Sequence, residues 1–205
     1  MAEKWNTPAD ESMINQTILE LRKNGIEAEA FSSREEARKR IIELIPSGAL
    51  VMDMTSVTLD ESGISEDINK SGKWDSARIK LEQMSRENNE KEMRAFGAAP
   101  DYAIGSAHAV TMEGEILIAS YTGSQLPAYA YSGGKVIFVI GTQKITKNLD
   151  EGLKRIYEHS LPLESERAKK AYGVEGSSVN KILIINKEVQ PGRIRVIFIK
   201  ENIGF

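Results

Sequence analysis

The stretch KVIFVIGTQKI, residues 135–145, joins an apolar run to a short polar turn. Residues 136–140 are continuously apolar and mostly β-branched, a composition typical of a strand that is buried on both faces of a parallel sheet. The polar turn 141–144 follows directly, and Asn148 with Glu151 then forms a capping box that begins a helix. This segment therefore predicts one strand–turn–helix unit of an α/β domain.

The chain before this unit predicts further alternation of helices and strands. The segment from about residue 8 to residue 24 carries apolar side chains at helical spacing. Asn24-Gly25 is a typical helix end, so the segment predicts an N-terminal helix. IEAEAF, residues 26–31, alternates like a strand, and Ser33 with Glu36 forms a capping box that opens a second helix. ALVMDM, residues 49–54, predicts another short strand.

The pattern between residues 55 and 131 is more mixed. Thr58 and Glu61 match a capping box, which predicts a helix start. Residues 76–96 are charged and helix-favouring, which predicts one exposed helix with a break near residues 87–89. AHAVT and EILIA, separated by a turn that contains Gly114, predict a hairpin, and residues 124–131 predict a short helix.

Two strand-like runs, KILIINKE and RIRVIFIK, lie within residues of about 181–200. Pro191-Gly192 between them is a strong turn signal, so we expect a C-terminal antiparallel hairpin. The whole order of elements predicts one α/β domain over residues 1–205, with a mixed, mainly parallel sheet flanked by helices.

The composition argues against several classes of function. A net charge of −3 with interspersed signs gives no field that attracts nucleic acid or an acidic membrane. The absence of cysteine excludes disulfides and thiolate sites within this sequence. No apolar run approaches the roughly 20 residues of a membrane span, so we expect a cytoplasmic protein. The sequence has no P-loop, Gly133-Gly134 precedes a strand, and the two histidines are far apart, so neither a cofactor nor a metal is expected.

Three polar turns come directly after predicted strands, at residues 55–58, 105–108 and 141–144. In open α/β sheets, ligands bind beyond the carboxyl ends of strands, where loops converge. Small residues also let a ligand approach the backbone closely. The three turns together therefore predict a shared binding site, although ordinary turn formation is the better explanation of any one of them taken alone.

The segments SVTLDESGI, SAHAVTMEGEI and GGKVIFVIGTQKITKNLDEGLKRI resemble the LUD-domain proteins, the lactate-utilisation family. That family has Ser-x-Thr-Leu-x-Glu-x-Gly, Ser-x-Asn-Ala-(Val/Ile)-Thr-x-x-Gly, Gly-Asn-Arg and Gly-x-x-Lys-Ile elements. The resemblance covers residues of about 49–170. Two departures stand out: His108 replaces the common Asn, and Ser124-Gln125 replaces Asn-Arg after Gly123. The second departure removes a planar cationic donor for a carboxylate or phosphate, which puts an identical ligand in doubt.

The resemblance implies a fold like that of ribose-phosphate isomerases and CoA transferases. It also implies an association with the oxidation of lactate to pyruvate, in which the iron–sulfur components are separate proteins. The biochemical role of the domain itself is poorly defined in the family.

The candidate ligand-binding residues combine the three turns with the family elements; they are Ser56, Thr58, Gly105, Ser106, His108, Gly123, Ser124, Gln125, Gly141 and Lys144. His108 and Glu113 are weak catalytic candidates, His108 because a neutral imidazole can donate to a ligand or exchange a proton. The alternatives are a structural His108, a solvated Lys144 and a solvated turn carboxylate at Glu113. We expect His159 at the surface, and Gly141 with either a positive φ or no room for a Cβ.

Three functions remain open on the sequence. The leading one is an accessory protein of organic-acid oxidation that binds a small anionic metabolite and works beside an iron–sulfur redox protein. The competing one is a free-standing enzyme of isomerase or CoA/acyl transferase type, and fold alone does not decide this. The third is a regulatory or structural subunit without a ligand. A homo-oligomer is compatible with each.

Overall fold

The computed structural model describes residues 2–205, and the side chains of all of these except Ala2, Glu3, Arg86 and Asn88. Within these residues, six parallel strands form a large sheet. With strands numbered along the chain, their order across this sheet is β1 (Glu27–Phe31), β10 (Ile194–Ile199), β7 (Lys135–Gly141), β4 (Tyr102–Gly105), β2 (Leu50–Asp53) and β3 (Asp75–Ser76).

Strand β7 lies in the interior of this sheet and is buried on both faces, as its continuous apolar sequence predicts. Val136, Phe138 and Ile140 pack into one core, and Ile137 and Val139 pack into a second core on the opposite face. This alternation follows from the two-residue period of a strand. The prediction of an α/β fold with a mainly parallel sheet is confirmed.

A second, smaller sheet has mixed strand directions. Its order is β8 (Ile145–Thr146), β5 (Ala109–Thr111), β6 (Ile116–Ser120) and β9 (Lys181–Ile185). β5 and β6 are antiparallel and form the predicted hairpin, whose turn contains Gly114 at φ 85°. β8 directly continues the chain from β7, so the turn after β7 connects the two sheets.

The predicted C-terminal hairpin is wrong. β9 pairs antiparallel with β6 in the small sheet, whereas β10 lies parallel between β1 and β7 in the large sheet. Pro191-Gly192 marks a change of direction, but a turn signal does not select a strand's partner. Five of the six residues of β10 are buried, and an interior position in a parallel sheet buries such a strand on both faces.

Eight α-helices lie within the described residues; they are α1 (Glu11–Lys23), α2 (Arg34–Leu44), α3 (Val57–Glu61), α4 (Ile64–Lys70), α5 (Ala77–Gln83), α6 (Arg86–Ala98), α7 (Leu149–Arg155) and α8 (Leu161–Tyr172). Two predicted caps are present: Ser33 Oγ accepts from the Glu36 N–H at 3.3 Å, and Asn148 Oδ1 accepts from the Glu151 N–H at 3.0 Å. In the described part of the chain, no helix is long and apolar enough to cross a membrane.

Other local predictions fail in part. Thr58 and Glu61 form no capping box, because Thr58 Oγ1 accepts from Lys144 and Glu61 Oε2 accepts from the Gly204 N–H. The helix predicted over 76–96 is two helices, α5 and α6, whereas its predicted break near residues 87–89 is present as a kink at Asn89 within α6. The short helix predicted over 124–131 is a π-helical turn over Ala128–Ser132.

The sheet order brings the three polar turns together. β2, β4 and β7 are consecutive neighbours and all run parallel, so their carboxyl ends lie at one edge. Gly141 ends β7 at φ −67° and ψ 140°, so the positive φ offered as one explanation for this glycine is wrong. The other explanation holds: a Cβ on Gly141 would lie 2.1 Å from Gln143 Oε1 and 2.8 Å from Ile203 Cγ2.

Gly141→Ala is therefore expected to lower the free energy of unfolding by about 1–3 kcal/mol through overpacking. Gln143 is buried and donates to the carbonyl oxygens of Ile203 and Gly204, so its side chain cannot move away without losing both bonds. Urea unfolding measures the loss. Gly176→Ala is the control, because its Cβ meets nothing closer than 3.5 Å. Equal stability of the two variants would contradict this packing.

Candidate functional site

A cleft of about 490 Å³ opens beyond the carboxyl ends of β2 and β4, against strand β6 of the small sheet. The turns after β2 and β4 supply one part of its wall. The end of β6 and the turn after it supply a second part, and the segment joining α7 to α8 supplies a third. The cleft is therefore built from both sheets.

Five of the ten predicted ligand-binding residues line this cleft; they are Ser56, Ser106, His108, Ser124 and Gln125. The other five do not line it; they are Thr58, Gly105, Gly123, Gly141 and Lys144. Glu113 is exposed in the β5–β6 turn, does not line the cleft, and its carbonyl accepts from Asn24 near the end of α1.

The glycines among these residues have structural reasons for being small. A Cβ on Gly105 would lie 1.8 Å from Tyr129 Oη. Gly123 has a φ of 86°, a left-handed conformation that favours glycine. Its N–H donates to Ser120 Oγ at 2.8 Å, and that hydroxyl in turn donates to Gln125 Oε1 at 3.0 Å. Both glycines thus shape the cleft wall without lining it.

His108 presents an N–H donor at the cleft. Its Nδ1 accepts from the Ala119 N–H at 3.1 Å, so a neutral ring carries its proton on Nε2. Burial, assisted by the charges of Lys144 and Arg155, lowers the pKa of His108 to about 3. The ring therefore stays neutral at pH 7, and proton exchange near that pH is disfavoured.

The resemblance to the LUD-domain proteins implies Asn at this position, and the same bond would suit that residue. Asn carries Oδ1 on its Cγ, where histidine carries Nδ1, so either side chain can accept from the Ala119 N–H. Compared with Asn, His108 keeps a hydrogen-bond acceptor at this position and has a ring N–H in place of the amide NH2 group.

Lys144 lies beneath the cleft instead of reaching solvent. A 3₁₀ turn over Thr142–Lys144 folds the chain back after β7, and Lys144 is only 1 % exposed. Its Nζ donates to Thr58 Oγ1 at 2.9 Å and lies 3.3 Å from Ser106 Oγ. Burial holds the pKa of Lys144 well below its ordinary value; the charge of Arg155 lowers it further, and that of Glu61 opposes the shift. One side chain therefore ties the three turns together.

Arg155 is a second buried cation, which the sequence did not single out. It ends α7, and its Nη1 donates to the His108 carbonyl and, at 3.1 Å, to Ser160 Oγ. Its Nε and Nη2 are buried without a hydrogen-bond partner in the described part of the chain, and no described carboxylate forms an ion pair with it. Burial lowers the pKa of Arg155 to about 10, so it remains charged at pH 7.

His159 is buried, so its predicted surface position is wrong. The helix widens to a π turn over Ile156–Ser160, and a π turn changes which side chains face the interior. Burial lowers the pKa of His159 to about 4, assisted by Arg155 and Lys144. The same turn brings Ser160 to the cleft wall, close to Arg155.

Two arginines that line the cleft have carboxylate partners. Arg78 donates through Nε to Asp53 Oδ1 at 2.8 Å, and Asp53 is buried at the end of β2. Arg167 makes two bonds, at 2.7 and 2.8 Å, to Glu164 on the same helix. The sequence pattern predicts no role for these four residues, and its one signal for them is the polar Asp53 within an apolar strand.

We expect the depressed pKa of His108 to make stability depend on pH. Between about pH 3 and 6.5 the unfolded chain binds more protons than the folded chain, so the free energy of unfolding falls as the pH falls below about 6.5. In His108→Asn this contribution is absent. Between pH 7.5 and 5, the wild type should lose about 1–2 kcal/mol more than the variant in urea unfolding. Equal losses would show that His108 titrates normally.

Comparison with known proteins gives the family. The family model described as the LUD domain matches residues 14–199. A DUF162 family protein from Deinococcus radiodurans, 13% identical, aligns over 94% of this chain and 99% of its own with a TM-score of 0.56, which shows a shared fold.

A ribose 5-phosphate isomerase from Plasmodium falciparum, 16% identical, aligns over 78% of this chain and 79% of its own. Its TM-score of 0.37 is too low to support an inference. No curated protein is significantly similar in sequence. Because the family model covers most of its length, this chain belongs to the LUD-domain family.

Proposed function

We propose that this LUD-domain protein binds a small organic carboxylate in the cleft, with the carboxylate facing His108 and Ser106. The observation that carries the proposal is Arg155, a fully buried cation that has no carboxylate partner among the described residues. A buried charge without a counter-charge is costly, and a bound anion would supply that counter-charge.

The electrostatics around His108 support an anion at this end of the cleft. The groups whose charge lowers the pKa of His108 are Arg155 and, when it is protonated, Lys144, so no anion contributes to this shift. Arg155 does not line the cleft, so its charge would act on an anion beside His108 through space and not by a direct bond. The burial of Arg155 strengthens this attraction, because less water screens the charge.

The cleft also offers neutral donors for a carboxylate. The hydroxyls of Ser56, Ser106 and Ser160 line the wall together with the His108 ring. Neutral donors backed by a buried charge can hold an anion without exposing a strong cation to solvent. A monocarboxylate such as lactate or pyruvate fits the cleft volume of about 490 Å³ with room to spare.

The family supplies the proposed context. We infer that the protein is an accessory component in the oxidation of lactate to pyruvate, because the LUD family is named for lactate utilisation. The sequence has no cysteine, so cysteine-ligated iron–sulfur chemistry in such a system requires a separate partner protein. The carboxylate site would then serve to bind the substrate or product of that partner.

Isothermal titration with lactate, pyruvate, a sugar phosphate and CoA tests the proposal. We expect a small carboxylate to bind, and Arg155→Met to weaken its binding about tenfold or more, which corresponds to roughly 1.4 kcal/mol. Arg155→Lys should lose less, because it keeps the charge. Circular dichroism establishes that each variant is folded.

Arg40→Met is the matched control, since Arg40 pairs with Glu29 and does not line the cleft. It should bind the carboxylate as the wild type does. Absence of carboxylate binding by the folded wild type, or an equal loss in Arg40→Met and Arg155→Met, would contradict the proposal.

A further inference from the structure

We propose that Ser106 and Lys144 form a nucleophile–base pair, which gives the cleft an acyl-transfer activity toward small carboxylic esters or thioesters. This covalent activity goes beyond the binding of a free carboxylate and does not depend on it. The juxtaposition that carries it is a serine hydroxyl on the cleft wall, 3.3 Å from the amine of a buried lysine.

The surroundings of Lys144 favour an amine over an ammonium. Its two hydrogen-bond neighbours are the hydroxyls of Thr58 and Ser106, and no carboxylate in the described part of the chain forms an ion pair with it. Arg155 and Glu61 are the charged groups that shift the pKa of Lys144. The charge of Lys144 in turn contributes to the lowered pKa of His108. Burial and Arg155 together lower the pKa of Lys144, and Glu61 offsets only part of this.

A neutral lysine has two N–H groups and one lone pair. One N–H is held by Thr58 Oγ1 at 2.9 Å, which fixes the position of Nζ. In the structure Nζ donates to Ser106 Oγ at 3.3 Å, and the Ser106 hydroxyl donates to the Ala107 carbonyl at 3.4 Å. Rotation of this hydroxyl would turn its proton toward the lone pair of the neutral amine, the arrangement that a base and a nucleophile need. Thr58 is thus a positioning residue, because it acts only through Lys144.

Ser106 meets the requirement for access. It is partly exposed and lines the cleft, whereas Lys144 does not line it. Its turn follows β4 directly, and Gly105 before it packs against Tyr129 with no room for a side chain. The Ser106 hydroxyl is therefore held on close-packed backbone at the carboxyl end of β4. Lys144, the proposed base, is buried behind it.

The reaction balances without an oxidant or a metal. Ser106 Oγ bonds to the acyl carbon while its proton moves to Lys144 Nζ, and the carbonyl oxygen takes the negative charge. The bond to the alkoxide or thiolate then breaks, and the Lys144 ammonium protonates that leaving group. Water then bonds to the acyl carbon as its proton passes to Lys144 Nζ. The ester bond to Ser106 Oγ breaks, the Lys144 ammonium returns the proton to Ser106 Oγ, and the carboxylic acid is released.

The developing oxyanion has a source of stabilisation on the same wall. His108 carries an N–H at Nε2, and the charge of Arg155 lies directly behind the His108 carbonyl. Neutral donors and fixed charges of this kind stabilise tetrahedral intermediates. The released acid would be the kind of small carboxylate for which these groups provide donors.

Labelling with a neutral alkyl fluorophosphonate tests the pair, because this reagent modifies activated serines with loss of fluoride. We expect one modification, mapped to Ser106 by peptide mass spectrometry, and none in Ser106→Ala. Lys144→Met should slow labelling on the order of 100-fold, as expected for the loss of a general base. Ser178→Ala, which removes another hydroxyl that lines the cleft, should label like the wild type.

The pH profile of wild-type labelling provides a second readout if Lys144→Met does not fold. The rate should rise with pH through a midpoint below the ordinary lysine value of about 10.4. Failure to label Ser106 in folded protein, a rate unaffected by Lys144→Met, or a midpoint at or above the ordinary value would each overturn the proposal. Loss of carboxylate binding in calorimetry would leave it standing.

Discussion

The buried amine of Lys144 is the contact on which the carboxyl edge of the large sheet depends. It lies beneath the turn that follows β7 and binds the hydroxyls of Thr58 and Ser106, which belong to the segments after β2 and β4. A buried lysine must keep its hydrogen bonds, because an unsatisfied polar group in the interior costs roughly 1–3 kcal/mol. The three segments are therefore held in one arrangement, and the cleft forms above them.

The second constraint on the site is the buried positive charge of Arg155 beneath this edge of the sheet. Arg155 is buried with a carbonyl and a hydroxyl as its partners. His108 stays neutral because it is buried, and the charge of Arg155 acts in the same direction. By contrast, Arg78 and Arg167 have carboxylates within hydrogen-bond distance. The two arginines that line the cleft thus have carboxylate partners, whereas Arg155, which is buried beneath it, has none. An anion site needs a positive charge of this kind that no carboxylate of the protein neutralises.

Much of the fold follows from local patterns. The apolar run of β7 predicts a strand buried on both faces, and parallel order brings the three polar turns to one edge. The partner of β9 was not predictable from a turn signal, since pairing is decided by burial across the whole sheet. Gly141 was correctly expected to be close-packed, but the cause is the Gln143 side chain and not a positive φ.

The site was predictable only in part. The positions of Ser56, Ser106 and His108 at the cleft were predictable, because these residues follow the carboxyl ends of β2 and β4, where ligands bind in such sheets. The burial of Lys144 depends on a 3₁₀ turn, and the burial of His159 on a π turn, and neither has a clear sequence pattern. Arg155 lies in a charged helix end where basic residues are ordinarily solvated.

The most direct test is a ¹⁵N NMR titration of the Lys144 side chain, with and without a saturating carboxylate such as pyruvate. We expect the pKa of Lys144 to lie well below the ordinary lysine value of about 10.4, and we expect the bound anion to raise it. A Lys144 resonance that titrates at the ordinary value and does not respond to any carboxylate would contradict both the buried amine and the anion site.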